Sequence, residues 1–215
     1  MNLPHSPILC VITDEDTDPL EIVPLALKGG ANMIQLRRKK ASGRELCRLA
    51  EALLPLCRNA GALFIVNDRA DIALATQADG VHLGQDDIPV HAARQLFGPG
   101  KIIGASTSSL DEAVRAERDG ADYAGFGHIF PTGSKAKGYA PLGAEAISLA
   151  AAAIRIPLIA IGGITRENAG TIIAHGAAGI AVISAVTQAE SPEDAARSLM
   201  DIMNIMHATR AGGGA

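Results

Sequence analysis

The stretch Leu63–Asp87, LFIVNDRADIALATQADGVHLGQDD, decides how this chain folds. It opens on LFIV, a run of branched and aromatic apolar residues that suits a buried strand. RADIALATQA follows with its apolar residues at helical spacing, and GVHLG then returns to strand character. A helix between two short strands carries the chain back across the sheet, so the strands run parallel. Both strands end in polar residues, VND and GQDD, that few strands would choose for stability.

The same unit recurs on either side of this stretch. ILCVIT and MIQLR precede it, and KIIGAST, YAGFGHIF, PLIAIGG and GIAVISAV follow, which makes eight strands in all. Between them lie segments of helical period such as DPLEIVPLALKGG, ASGRELCRLAEALLPLCRNAG, SLDEAVRAERDG and TRENAGTIIAHG. Several start on Ser, Thr or Asp and stop at Gly, as helices do. Eight alternating units predict an α/β chain folded as one (β/α)8 TIM barrel over residues 1–210, with 211–215 as a disordered tail. The rival, an open doubly wound sheet, needs a glycine-rich turn after the first strand. Here VITDEDTD, Val11–Asp18, is acidic where a dinucleotide phosphate would sit.

Composition narrows the class. With 215 residues, 48% hydrophobic, 20% charged and a net charge of −4, the chain can bury one large core and lacks the basic balance of a nucleic-acid binder. The N-terminus has no basic region leading into a long apolar run, so neither a signal peptide nor a membrane span is expected. Three scattered cysteines, Cys10, Cys47 and Cys57, form no CxxC pair and suit a reducing, cytoplasmic setting. Homo-oligomeric assembly is left open.

A barrel places its active site at the C-terminal ends of the strands. Asp68 and Asp87 end the third and fourth strands and so become neighbours on one rim. Two carboxylates beside amides form a hard oxygen site that suits Mg2+, although Asp68 could instead cap the following helix and Asp87 could belong to a turn. Gln35, Arg37 and Lys39 alternate along the second strand and share one face. Inward-facing cations beside a Mg2+ site call for a phosphorylated small-molecule substrate. IGGIT after the seventh strand and VISAV in the eighth offer a second phosphate station on backbone N–H groups around Gly162 and Gly163. His82, between Val81 and Leu83, reads as a satisfied core or interface histidine.

Taken in order, QLRRK, VNDRADIALATQADGVHLGQDD, ASTSSLDEAVRAERDGADYAGFG, FPTGSK, PLIAIGGIT and VISAV resemble thiamine-phosphate synthases, from about Ile8 to Met206. The resemblance implies a Mg2+-dependent transferase of thiamine biosynthesis. Such an enzyme joins 4-amino-5-hydroxymethyl-2-methylpyrimidine diphosphate to 4-methyl-5-(2-phosphoethyl)thiazole, by a dissociative route, giving thiamine phosphate and diphosphate. It assigns Gln35, Arg37, Lys39 and Asn67 to the pyrimidine diphosphate, Asp68 and Asp87 to the metal, and Ser106 and Lys135 to the departing diphosphate. Arg37, Ser106 and Lys135 are then the catalytic set, while Thr132, Ser134, Gly163, Ile183 and Ser184 surround the thiazole phosphate.

Two departures fall in GFGHIFPTGSKAKG, Gly125–Gly138: His128 stands where the synthases carry proline, and Ser134 where they carry threonine. Ser134 keeps the hydroxyl. His128 resembles the acid/base histidine of the related TenI thiazole tautomerases, which makes tautomerisation a second reading. A non-catalytic phosphate-binding barrel is a third. Gly133 and Gly138 suit a mobile lid.

Overall fold

The computed structural model describes residues 3–5, 7–132 and 140–212. Strands β1 (Ile8–Ile12), β2 (Met33–Leu36), β3 (Leu63–Asn67), β4 (Gly80–Leu83), β5 (Ile102–Thr107), β6 (Tyr123–Gly127), β7 (Leu158–Ile161) and β8 (Gly179–Val182) alternate with helices α1 (Pro19–Lys28), α2 (Gly43–Asn59), α3 (Ala70–Ala75), α4 (Val90–Phe97), α5 (Leu110–Arg118), α6 (Glu145–Ala153) and α7 (Arg166–Ala174), and α8 (Ser184–Thr187) and α9 (Pro192–Gly212) follow β8. All eight strands pair in parallel and in order, and β8 returns to β1 with Ile8 opposite Gly179 and Val11 opposite Val182. The sheet is therefore closed, as the alternating sequence predicts, and the doubly wound alternative is excluded.

Strand alternation divides the core in two. Ile8, Cys10 and Ile12 with Met33, Ile65, Tyr123 and Ile159 fill the barrel interior. Leu9, Val11, Ile34, Phe64, Val66 and Ile103 point outward and pack beneath the helices. Because consecutive side chains face opposite sides, the interior positions continue upward into Gln35, His82 and Ser106 at the rim.

The lower end of the barrel repeats one device. The residue before each of three even strands caps the first free N–H of its neighbour: Asn32 Oδ1 accepts from Leu9 N at 2.9 Å, Asp79 Oδ2 from Phe64 N at 2.8 Å and Asp122 Oδ2 from Ile103 N at 2.7 Å. At the upper end, Asp14 Oδ2 accepts from Thr187 Oγ1 at 2.5 Å, tying the loop after β1 to α8 across the seam.

Several predicted boundaries shift. β6 stops at Gly127, so His128 lies beyond the strand, and β8 stops at Val182, with Ser184 opening the short α8. α9 runs to Gly212, two residues into the stretch expected as a tail, and 213–215 lie outside the described residues. Met203 is buried, and Met200 and Met206 pack against the same core.

Candidate active site

A cavity of about 620 Å³ opens at the C-terminal ends of the strands. Gln35, Arg37 and Lys39 line one wall, Asn67, Asp68 and Asp87 the next, Ser106 a third, and Thr132 and Ile183 reach it from the far side. The strand-end geometry thus assembles nine of the residues singled out in the sequence. Gly163 and Ser184 stay outside its lining, and Gly162 takes the wall position instead. A Cβ on Gly163 would come within 2.8 Å of Phe130 Cβ, so this glycine gives clearance to the loop after β6. Ser134, Lys135 and the expected lid at 133–138 lie outside the described residues.

The acid pair is built by backbone. Asp68 takes a left-handed conformation, φ 63°, which aspartate tolerates better than most residues. Its N–H donates to His82 O at 2.8 Å. It does not cap α3, whose N-cap position is Arg69 and carries no side-chain cap bond. Asp87 does form its turn, accepting from Gly84 N at 2.6 Å, and still faces the cavity. The two carboxyl groups are close neighbours, and Lys39 Nζ sits 3.2 Å from Asp68 Oδ2. Burial, and then the neighbouring Asp68 carboxylate, push the Asp87 carboxyl above its ordinary value despite the opposing Gly84 bond and Lys39 charge.

Does this pair fit a divalent cation? Among the described residues no group of three or more His, Cys, Asp or Glu side chains is arranged to hold one. Two buried-edge carboxylates pressed together are nevertheless the arrangement that a hard cation relieves, with substrate oxygens and water completing the shell. The donor chemistry therefore fits Mg2+ held by Asp68 and Asp87.

Arg37 is anchored at its backbone, donating its N–H to Thr13 Oγ1 at 2.8 Å and accepting from the same hydroxyl at 3.1 Å. Its guanidinium Nε is buried without a protein partner among the described residues, a donor that an anionic group would satisfy. Glu15 braces the same loop, taking the Lys39 N–H.

Two site residues were not legible as such. His82 is buried and satisfied, as expected, but its partners are in the cavity: Nδ1 lies 3.0 Å from Tyr123 Oη and Nε2 2.9 Å from Ser106 Oγ. Tyr123 carries no signal of its own along the chain beyond an aromatic residue opening a strand. Burial, then the nearby Cys10 thiol, hold its phenol well above the ordinary value, so it stays protonated. The available signal was glycine inside strands, at Gly104 and Gly125, which marks close approach. A Cβ on Gly104 would overlap the Tyr123 ring, and one on Gly125 would come within 2.9 Å of His82 Cε1. His128 is 7% exposed and lines the cavity beside Gly162.

Fold and site together define a (β/α)8-barrel enzyme whose mouth presents cations, a carboxylate pair and hydroxyls to a small anionic substrate. The thiamine monophosphate synthase family matches residues 9–186. A thiamine-phosphate synthase from Chlorobium luteolum is 85% identical over 214 residues, covering 100% of both chains, and one from Moorella thermoacetica is 53% identical over 86% of this chain and 88% of its own. The solved thiamine phosphate pyrophosphorylase from Pyrococcus furiosus superposes with a TM-score of 0.86 at 44% identity, over 93% of this chain and 96% of that one. The chain belongs to the thiamine-phosphate synthase family and is a transferase, which sets aside the non-catalytic barrel.

Proposed function

We propose that this enzyme couples 4-amino-5-hydroxymethyl-2-methylpyrimidine diphosphate to 4-methyl-5-(2-phosphoethyl)thiazole through a dissociative step. The observation that carries the reading is the Asp68–Asp87 pair beside Lys39 and Arg37 on one cavity wall. The C–O bond to diphosphate breaks with its electron pair on the leaving oxygen, and the thiazole nitrogen lone pair then forms the new C–N bond. Asp68 and Asp87 would hold Mg2+, which would supply neutralisation of the diphosphate charge.

The chain's own groups do the rest. Arg37 and Lys39 bind phosphate oxygens and stabilise the charge that grows as the bond opens. Ser106 donates to the same group, and Lys135 takes it up on departure. Gln35 and Asn67 orient the pyrimidine. Thr132, Ser134 and Ile183 hold the thiazole phosphate by hydroxyl and backbone, with Gly162 on the cavity wall in place of Gly163 and Ser184. Ile12, Ile159 and Ile161 on the cavity lining keep water from a reactive cation.

His128 supports a second reading, thiazole tautomerisation, because its imidazole sits on the same cavity. The acid pair, which an isomerisation releasing no diphosphate does not need, favours coupling. Purified enzyme with both phosphorylated substrates and Mg2+ should form thiamine phosphate and diphosphate. Isomerisation of a carboxylated thiazole phosphate without coupling would reverse the assignment. A cytoplasmic location agrees with three free thiols, and among the described residues no helix is long and apolar enough to cross a membrane.

A further inference from the structure

Four strands send polar side chains to one point in the barrel mouth. His82 on β4 and Tyr123 on β6 flank β5, and each pairs in register with Gly104 between them. Because Gly104 has no side chain, the two rings meet above it, centroids 5.5 Å apart and Nδ1 to Oη 3.0 Å. Gln35, on β2, lies near the Tyr123 hydroxyl. On its other side the His82 ring meets Ser106 Oγ at 2.9 Å, one step further up β5. Gln35, Tyr123 and His82 are 3%, 2% and 9% exposed, so water does not compete for these bonds. Gln85 Nε2 holds the Ser106 carbonyl at 2.5 Å and so fixes the backbone from which the hydroxyl projects.

We propose that Tyr123 is a positioning residue, acting through His82 to hold the Ser106 hydroxyl as a donor into the cavity. The bonds run in one sense. Gln35 Nε2–H donates to the Tyr123 oxygen, the Tyr123 hydroxyl donates to His82 Nδ1, and His82 Nε2–H donates to Ser106 Oγ. With its oxygen engaged as an acceptor, Ser106 has its proton free for an anionic oxygen of the substrate. The reverse sense would spend the Ser106 proton on His82 and present only lone pairs to a negatively charged group. The cavity supports the forward sense: it gathers Arg37 and Lys39 around the same space, so its ligand is an anion that needs donors. Nothing covalent changes: the chain orients one proton.

The kinetic part of the test rests on the coupling activity proposed above, and the spectroscopic part does not. In full-length protein labelled with 15N-histidine, the His82 resonance, identified by its loss in His82→Gln, should show Nε2 protonated and Nδ1 bare and hydrogen-bonded. Tyr123→Phe keeps the ring and removes the hydroxyl, and should turn this into a mixture of tautomers. In the coupling assay Tyr123→Phe should lower kcat about tenfold, the worth of one buried hydrogen bond, with KM for the pyrimidine diphosphate changed less than about twofold. In a Ser106→Ala background Tyr123→Phe should cost nothing more. An Nδ1-protonated His82 in the unsubstituted enzyme, or an undiminished effect of Tyr123→Phe without Ser106, would overturn the proposal. If the enzyme forms no thiamine phosphate at all, the coupling reading fails and the tautomer still decides the relay.

Discussion

Asp87 and His128 sit on one cavity and divide the two chemistries between them. Asp87 is locked to the Gly84 N–H and pressed against Asp68, and burial already disfavours its charge. Exchanging it for the neutral isostere keeps the turn and removes one of the two carboxylates of the proposed Mg2+ site. Asp87→Asn should therefore raise the Mg2+ concentration for half-maximal coupling about tenfold or more, read from rates across a Mg2+ titration. His128 fills a niche beside Gly162, so His128→Ala should lower coupling less than about fivefold. Equal losses in the two variants would make the imidazole part of the reaction.

Loops acquire their rigidity from bonds that cross elements. Asp14 is the joint between the first and last units. Burial by itself would raise its pKa, yet hydrogen bonds from Thr187, Thr17 and Asp16 outweigh it and hold the carboxyl below the ordinary 3.8. A depressed carboxyl contributes stability that is complete above the unfolded value and is lost as pH falls through the lower folded one. Acid titration of thermal stability should thus show a component below about pH 4 that Asp14→Asn lacks. Thr187→Val should cost about 2 kcal/mol at neutral pH, since it strips a donor from a buried charge.

Closure of the barrel depends on how near its strands can come. At the β8–β1 seam a Cβ on Gly179 would overlap the Ile8 carbonyl and lie within 2.6 Å of Ile8 Cβ. Gly179→Ala has to pry the seam open, and we expect a loss of about 3 kcal/mol in denaturant unfolding. Gly100→Ala meets nothing within 4 Å and should stay within about 0.5 kcal/mol. Comparable losses in both would mean that seam contact is not the cause.

Much of this architecture is written along the chain. Apolar runs of strand length alternate with helical periods, parallel strands follow from the crossovers, and the barrel's rule about strand ends then points to Gln35, Arg37, Lys39, Asp68 and Asp87. Each of those inferences uses only spacing within one element. The partners of His82 are 24 and 41 residues away, and Thr187, which bonds Asp14 across the seam, is 173 away. No period along the chain relates such positions, because the stagger between strands sets them at closure. His82 in isolation reads as core, and Tyr123 as one more apolar residue opening β6. Periodicity determines which face a side chain takes. Only the closed sheet, with Gly104 clearing the space between two rings, decides what that side chain touches and so gives Ser106 its orientation.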